Sequence, residues 1–348
     1  MRKALAALAV IVAVIVGGYW LWVEVLRDDT VDPTVAAVDV TIRQAGPLLV
    51  AEPTPRTTGV YEGYGAWIDA FDYSPNYTKP NPPHLTPAVV DDLADDGVRT
   101  LYLQATRLDE RTPGVLEDPW LLAEFLLRAH ERDVRVVGWY LPEWLDDGSD
   151  RARVRATSEF EVLGHRFDGV ALDIEYINDG LEPEERSRRL VTLSQQIAAD
   201  AGTEPLAAIV PPPVQIEVIN PRFWAGFPWA QIEPYYDVWM PMSYWSFRSA
   251  SSGYKNGYSY NEESIRRLRA NLGKPTALVH AIGGIGAVDG VDDDPTPEEP
   301  LASINDLAPF VQSLRDTGAI GGSIYDWRTM EPPARDRMSE LMSTFPSG

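Results

Sequence analysis

Eight short apolar runs, each followed by a polar stretch with helical periodicity, constrain the fold of this 348-residue chain more than any other feature. They predict strands at Ala66–Ala70, Thr100–Ala105, Arg135–Tyr140, Gly169–Ile174, Leu206–Val210, Val238–Met242, Thr276–Ala281 and Gly321–Ile324. Strands that alternate with helices pair in parallel, and eight such units close readily into a barrel. The sequence therefore predicts an α/β fold, a single (β/α)8 TIM barrel. An open doubly wound sheet is the alternative, disfavoured because no Gly-x-Gly-x-x-Gly follows the first strand.

Local signals mark where the intervening helices begin and end. Asp118-Pro119 places a capping side chain directly before a proline, which is typical of a helix start. Four glycines follow polar helical stretches and precede the next strand, as a left-handed C-cap requires. These glycines are Gly97, Gly202, Gly273 and Gly318.

An uncharged run from Ala4 to Val23 follows the basic residues Arg2 and Lys3. At about 1.5 Å per residue, its length matches the roughly 30 Å of membrane hydrocarbon. Basic residues before the run and acidic residues after it predict a cytoplasmic N-terminus and an exported remainder. We therefore predict a transmembrane signal-anchor at 1–26, an extended linker at 27–60 and the barrel at 61–348, extracytoplasmic and membrane-anchored. A cleaved signal peptide, which would give a secreted protein, is the competing interpretation.

Charge and cysteine content exclude several classes of function. The chain has 52 acidic and 30 basic residues and a net charge of -22, so it repels nucleic acid, which is not an expected partner. With no cysteine, it has no disulfide, thiol nucleophile or Cys-ligated metal. Its four histidines lack metal-ligand spacing, and no metal or cofactor is predicted. The acidic stretch 289–299 is interpreted as a solvated loop in preference to a calcium site.

Polar and aromatic residues cluster at the predicted strand ends, where active sites of such barrels lie. A rim of tryptophan, tyrosine and carboxylates suits a carbohydrate, because sugar rings offer flat C–H faces to aromatic rings and hydroxyls to carboxylates. For Trp139 a core position is an equal alternative, whereas Trp245 and Trp327, just past strand ends, are expected on the rim. Arg107 also follows a strand end. The candidate substrate-binding residues are Asp69, Trp139, Tyr140, Glu143, Tyr176, Met242, Trp245, Asp326 and Trp327.

The fourth predicted strand carries the most informative segment, Phe167-Asp168-Gly-Val-Ala-Leu-Asp173-Ile-Glu175-Tyr176. Side chains alternate along a strand, so Ala171, Asp173 and Glu175 share one face, and the aliphatic residues between them share the other. The aliphatic face is expected against the helices, which turns both carboxylates into the lumen. Two close carboxylates repel when ionised, which raises the apparent pKa of one and suits Glu175 to act as a general acid.

This segment resembles the fourth strand of the family 18 glycoside hydrolases, which include chitinases. Their Asp-x-x-Asp-x-Asp-x-Glu pattern is matched by Asp168, Asp173 and Glu175, with Ala171 at the second Asp. The resemblance implies that Glu175 protonates the glycosidic oxygen, and that Asp173 orients the acetamide of the substrate as nucleophile. Such enzymes dispense with a second carboxylate at the reaction centre.

Two further segments carry the resemblance. Met242-Ser243-Tyr244-Trp245 is similar to the family's Met-x-Tyr-Asp at the sixth strand, with Trp245 replacing the Asp, and it implies that Tyr244 hydrogen-bonds the acetamide. In Gly321–Trp327, the final tryptophan stands one residue later than in the family pattern. The implied catalytic residues are thus Glu175, Asp173 and Tyr244, and the implied substrate is an oligo- or polysaccharide containing N-acetylhexosamine, chitin-like or peptidoglycan.

Other interpretations remain open. Ala171 and Trp245 depart from the family pattern, which also allows a catalytically weak or inactive carbohydrate-binding envelope protein. An ordinary two-carboxylate glycosidase would use Asp69, Asp72, Glu143 or Asp326 as its second carboxylate. A hydrogen-bonded structural role is favoured for His280. The segment Ser246–Tyr260 is expected to be a substrate-contacting loop and not a helix.

Overall fold

The computed structural model describes residues 51, 53–112, 114–145, 148–176, 180–284 and 303–345. The predicted anchor at 1–26, most of the linker and the acidic stretch 289–299 lie outside these residues. Within the described ranges, no helix has the length and apolar character needed to cross a membrane. The membrane partner is therefore still a prediction from the sequence.

Eight parallel strands form a closed barrel, which confirms the predicted fold class. In the ring β1 pairs with β8 and with β2, and the other neighbours follow in chain order. The strands are β1 Gly63–Ile68, β2 Thr100–Thr106, β3 Arg135–Tyr140, β4 Gly169–Asp173, β5 Leu206–Val210, β6 Val238–Ser243, β7 Leu278–Gly284 and β8 Gly321–Tyr325.

Helices cover the outside of the barrel. The longer ones are α1 Val89–Asp95, α2 Pro119–Glu131, α3 Ser149–Glu159, α4 Pro183–Ala201, α5 Gly257–Asn271, α6 Leu307–Thr317 and α7 Pro332–Ser343. After β5 the chain instead forms the π-helical turn Val214–Ile219 and the short helix Trp229–Ile232. The Asp118 carboxylate caps α2 by accepting from the backbone amides of Trp120 and Leu121, as predicted.

Backbone geometry confirms the predicted helix ends. All four predicted C-cap glycines have positive φ, from 62° at Gly273 to 76° at Gly97. Gly318 is left-handed as predicted, whereas Gly202, with ψ -102°, ends its helix outside the left-handed helical region. The expectation that Ser246–Tyr260 forms a loop and no helix is wrong, because α5 begins at Gly257. Asn256 supplies the cap, accepting from the amides of Tyr258 and Ser259. An Asn before an amphipathic run is a start signal that the glycines and tyrosines around it obscure.

The two faces of each strand divide the core into two parts. On β4, Val170 and Leu172 belong to the outer core beneath the helices, as does Ile174 just past its end, whereas Ala171 belongs to the lumen. This is the alternation expected from the sequence. Aromatic side chains fill the centre of the lumen: the rings of Trp67 and Tyr102 stack with centroids 4.3 Å apart. The lumen is thus a packed core below the mouth where the strands end.

His280 lies in the lumen in the structural role that the sequence favours. Its side chain is 1% exposed, with Nδ1 2.8 Å from the Tyr61 carbonyl oxygen and Nε2 2.9 Å from the Ser323 hydroxyl. The same hydroxyl accepts a hydrogen bond from the indole of Trp67 at 2.8 Å. Burial lowers the pKa of His280 to about 4, so the imidazole is neutral at pH 7.

The described end of the predicted linker packs on the barrel where the strands begin. The Ala51 amide donates to the Leu163 carbonyl at 2.9 Å. Thr58–Tyr61 forms a 3₁₀ turn, and Val60 within it is 3% exposed. Residues 53–60 therefore cover the base of the barrel, opposite the mouth.

Candidate functional site

Strand β4 brings two carboxylates to the mouth of the barrel. Asp173 is its last residue, pairs in register with Ile209 of β5, and is 6% exposed. Glu175 lies two residues further along and is partly exposed. Within the described residues, the Asp173 Oδ1 atom is buried without a hydrogen-bond partner. This placement agrees with the sequence expectation that the pair faces the lumen.

Burial and mutual repulsion control the ionisation of this pair. Burial raises the pKa of Asp173 well above its ordinary value, and the nearby Glu175 charge raises it further. Burial also raises the pKa of Glu175. Arg107 acts in the opposite direction on both groups, because its positive charge favours the ionised carboxylates. A proton is therefore held at the end of β4 at a pH where a solvated carboxyl has lost it.

Arg107, just beyond β2, is placed by aromatic stacking. Its guanidinium carbon lies 4.6 Å from the centroid of the Phe71 ring and 5.8 Å from that of Tyr77. Its carbonyl accepts a hydrogen bond from Arg153 at 3.1 Å. Its Nε atom is buried without a hydrogen-bond partner in the part of the chain that the structure describes. Aromatic stacking therefore positions this positive charge near the end of β4, where it acts on Asp173 and Glu175.

We expect the Arg107→Gln variant to raise the pKa of Glu175 further, because a nearby positive charge that favours the ionised carboxylate is lost. Arg107→Lys keeps the charge and is expected to leave that pKa close to the parent value. Carboxyl ¹³C NMR titration of protein labelled at glutamate and aspartate measures the shift without a substrate. A Glu175 titration that is the same in the Gln variant and the parent would contradict the electrostatic role of Arg107.

Two tyrosines form an aromatic wall across the mouth from β4. The rings of Tyr244, after β6, and Tyr325, at the end of β8, have centroids 5.9 Å apart. A Cβ on Gly284 would lie 3.0 Å from the Tyr244 ring, so this glycine lets the ring lie close across the end of β7. The Tyr325 hydroxyl donates to Asp69 Oδ2 at 2.6 Å. This places Tyr244 at the mouth, where the sequence analysis expects it.

Three carboxylates, from Asp69, Asp72 and Asp326, lie together between the ends of β1 and β8. Their closest ligand-type oxygens all lie within 4.8 Å of one another, a spacing at which such groups can hold a cation. Burial, and then the neighbouring Asp69 and Asp326 charges, raise the pKa of Asp72 to about 8. Arg328 contacts Asp72 Oδ1 at 3.2 Å. A proton on Asp72 and the positive charge of Arg328 together reduce the repulsion among the three carboxylates. A bound metal ion would have the same effect.

Asp69 and Asp326, two of the candidate second carboxylates, are engaged by the protein. Asp69 Oδ1 accepts from the Phe71 amide at 2.8 Å and Oδ2 from Tyr325. Asp326 Oδ1 accepts from the Thr329 amide at 2.9 Å, and burial raises the pKa of Asp326 to about 6. These bonds cap the first turns after β1 and β8, so both side chains are held at the edge of the mouth.

Three residues predicted to bind substrate do not line the mouth of the barrel. Trp245 is 0% exposed, because the chain turns back after β6 and packs its ring 5.2 Å from that of Phe310. Trp327 is 1% exposed, with Arg335 stacked 4.5 Å over its ring. The rim position expected for both is wrong. Tyr140 faces the helices and donates to Asp150 at 2.6 Å, so it does not line the mouth.

The remaining candidates fall into two groups. Trp139 and Met242 belong to the buried lumen core, with 4% and 6% exposure, so the core alternative holds for Trp139. Glu143 and Tyr176 lie past the ends of β3 and β4. Glu143 is partly exposed and burial raises its pKa, whereas Tyr176 is 38% exposed. Glu143 and Tyr176 have exposed surface for contact with a ligand, whereas Trp139 and Met242 pack within the lumen core.

Sequence reasoning missed Tyr325 as a mouth residue, and it assigned no role to Arg107. Alternation along β8 could have identified Tyr325, because Gly321, Ser323 and Tyr325 share one face. Nothing local to the sequence connects Arg107 with Asp173 and Glu175, which lie on a different strand.

The fold was also compared with known proteins. Neither a protein-family model nor a curated protein sequence matches this chain. Solved structures do. A family GH18 chitinase from Cycas revoluta in complex with (GlcNAc)3 has a TM-score of 0.54 at 14% identity, covering 80% of this chain and 99% of the other.

Two further chitinases have the same architecture. A class V chitinase from Nicotiana tobaccum has a TM-score of 0.54 at 12% identity, covering 82% of this chain and 100% of its own. The catalytic domain of the psychrophilic chitinase B from Arthrobacter TAD20 has a TM-score of 0.51 at 11% identity, covering 83% and 96%. Identities this low establish a shared architecture and leave the chemistry open. The described part of the chain therefore has a chitinase-like TIM-barrel fold.

Proposed function

We propose that this protein is a glycoside hydrolase acting on a glycan that contains N-acetylhexosamine, such as a chitin-like polymer or peptidoglycan. The observation that carries the proposal is the pair at the end of β4. Asp173 and Glu175 both face the mouth, and burial raises the pKa of each. A carboxyl that keeps its proton near neutral pH beside a second carboxylate is the arrangement that acid-catalysed glycoside cleavage requires.

In the proposed reaction the acetamide N–H of the bound substrate favours the ionised form of Asp173, so the proton that the pair retains lies on Glu175. Glu175 donates this proton to the glycosidic oxygen as the bond from that oxygen to C1 breaks. The acetamide oxygen of the substrate attacks C1 and forms a cyclic oxazolinium ion. Asp173 accepts a hydrogen bond from the acetamide N–H and stabilises the developing positive charge. Water then opens the ring, with Glu175 as the base that removes its proton and is restored as an acid.

The opposite side of the mouth supplies the sugar-binding surface in this proposal. The Tyr244 hydroxyl hydrogen-bonds the acetamide, and the Tyr325 ring, 5.9 Å from Tyr244 between centroids, offers a flat apolar face. Tyrosine combines such a face with a polar group, which suits a sugar ring. The chitinase structures with this fold include complexes with (GlcNAc)3, which supports a carbohydrate ligand here.

We expect the full-length protein to release reducing ends from chitin oligomers or from peptidoglycan glycan strands, measured by a reducing-sugar assay with mass spectrometry of the products. Cello-oligosaccharides are the matched control, because they lack the acetamide nucleophile and should not be cleaved. Equal cleavage of both substrates would contradict substrate assistance and favour a two-carboxylate mechanism.

A second candidate function is a carbohydrate-binding protein that turns over slowly or not at all. The observation that favours it is Ala171, which is 1% exposed in the lumen one inward position below Asp173. A carboxyl at that position would share a proton with Asp173. The methyl group of Ala171 cannot share a proton with Asp173. Saturable glycan binding without product release from any of these substrates would support this candidate. The extracytoplasmic location proposed for either function rests on the sequence of residues 1–26.

A further inference from the structure

A cavity lies at the base of the barrel, at the opposite end from Asp173 and Glu175. Its volume is about 250 Å³. It opens between the beginnings of the strands and the segment that covers the base. The charged residues that line it are Arg56, Arg99, Arg135, Arg166, Glu62 and Asp168. Four guanidinium groups around one cavity are unusual in a chain whose net charge is -22.

Backbone carbonyls hold three of these arginines in place. Arg56 donates to the Phe167 and Ser158 carbonyls at 2.9 and 2.7 Å, and its side chain is 2% exposed. Arg166 donates to the Thr54 carbonyl at 2.9 Å, and Arg135 donates to that of Gly59. A carbonyl orients a guanidinium but leaves its full positive charge, so the cavity is preorganised without being neutralised.

The nearby carboxylates balance only part of the positive charge of the four arginines. Glu204 serves both Arg56 and Arg166, at 2.5 and 2.7 Å. Asp168 is engaged elsewhere, accepting from the Val136 amide at 2.7 Å and lying 2.9 Å from His130 Nε2.

Donors remain unused in this cavity. Among the described residues, the Arg99 side chain makes no hydrogen bond or ion pair, with Glu62 or any other residue, and the buried Nε of Arg166 has no partner. Four guanidinium groups thus face three carboxylates, counting Glu204. Arg99 is exposed on the cavity wall, so the surplus charge and its N–H groups are available to a ligand there.

We propose that this cavity binds a phosphate-type oxyanion, either free phosphate or the phosphate of a lipid head group. The planar guanidinium presents paired N–H donors that match the oxygens of a phosphate. At about 30 Å³ for each water, the cavity has the volume of roughly eight water molecules, enough for a phosphate and the first atoms of an ester substituent. The site is separate from the barrel mouth and does not depend on glycan hydrolysis.

The test uses the full-length protein in a non-ionic detergent, which contributes no phosphate. Isothermal titration calorimetry with sodium phosphate, at an ionic strength held constant with sodium chloride, is expected to give saturable binding. Arg99→Gln is expected to weaken phosphate binding at least tenfold. It is expected to leave the unfolding temperature measured without phosphate unchanged, because the Arg99 side chain makes no hydrogen bond or ion pair with another described residue. Arg266→Gln is the matched control, because Arg266 is an exposed arginine that pairs with Glu263 outside this cavity.

The source of the phosphate is distinguished with a second probe, dihexanoyl-phosphatidylglycerol below its critical micelle concentration. Tighter binding of this lipid than of inorganic phosphate identifies a head-group site, and the reverse order identifies a site for free phosphate. Either result supports the proposal if Arg99→Gln weakens the binding and Arg266→Gln does not. The proposal is overturned if neither probe binds saturably, or if binding is the same in Arg99→Gln as in the parent.

Discussion

Glu175→Gln is expected to lower the rate of glycan hydrolysis by about 10² to 10⁴-fold, the usual contribution of a general acid. The amide has nearly the shape of the carboxyl but has no acidic proton to give to the glycosidic oxygen. The variant is expected to bind chitin oligomers with an affinity close to that of the parent, because the aromatic wall of Tyr244 and Tyr325 is unchanged. The measurements are kcat from reducing-end release and Kd from calorimetry.

The matched control is Glu184→Gln, which makes the same chemical change at an exposed position of α4. It is expected to keep the parent kcat and Kd. If Glu175→Gln hydrolyses glycans as fast as the parent, Glu175 is not the acid, and the proposed mechanism is wrong. If no form of the protein, including the parent, releases product while glycans bind, the binding-protein candidate is the better description.

Asp173→Asn is expected to make the protein more stable and, if the mechanism is right, much less active. The Asp173 side chain is 6% exposed, and its Oδ1 atom has no hydrogen-bond partner within the described residues. An ionised carboxylate in such a place costs free energy, which a neutral amide avoids. We expect the free energy of unfolding at pH 8 to rise by about 1–3 kcal/mol, because only the parent bears the cost of a raised folded-state pKa, about 1.4 kcal/mol for each tenfold change in proton affinity.

The pH dependence of this gain follows from the direction of the pKa shift. Burial, and then the Glu175 charge, raise the pKa of Asp173 in the folded protein above its value in the unfolded chain. The folded state therefore binds the proton more tightly, and the parent loses stability as the pH rises from about 4, the unfolded pKa, towards the folded pKa. The variant lacks this loss, so its advantage is expected to be small near pH 4 and full only above the folded pKa.

Urea unfolding at several pH values measures this advantage, and hydrolysis assays measure the loss of activity. Asp336→Asn is the control, because Asp336 is exposed on α7, and it should change neither quantity. A variant that is less stable than the parent at pH 8 would mean that the Asp173 carboxylate is held by favourable interactions. A stable variant with full activity would leave Asp173 without the proposed orienting role.

Features that depend on neighbours along the chain were predictable from the sequence. The facing of Asp173 and Glu175 follows from alternation along one strand, since consecutive side chains must point to opposite faces. The positive φ of Gly97 and Gly318 follows from the conformational freedom that a left-handed helix end requires. Barrel closure followed from the number of strand and helix units. The first two inferences use contacts within a few residues, and the third uses the number of similar units along the chain.

The mouth was less predictable, because its residues meet across long stretches of chain. Trp245 and Trp327 come just after strand ends, as rim residues do, but the turns that follow β6 and β8 direct both rings into the core. The Trp327 amide donates to the Trp67 carbonyl at 3.1 Å, which draws the chain back over β1. Sequence position alone gives no information about such a turn.

The sequence by itself determined the number and order of the strands, the inward carboxylates at the end of β4 and the chemistry available to a chain without cysteine. It misplaced strand ends: β1 begins at Gly63, three residues before the predicted start, and Ala70 already belongs to a helical turn. Only the tertiary structure decided which side chains surround those carboxylates. Tyr325 meets Asp69 across 256 positions of the chain, and Arg107 acts on Asp173 and Glu175 from another strand. Strand register and barrel closure bring these groups together, and the resulting burial and charge fix the ionisation of the pair. Burial and charge are properties of the assembled barrel, which no short segment of the chain contains.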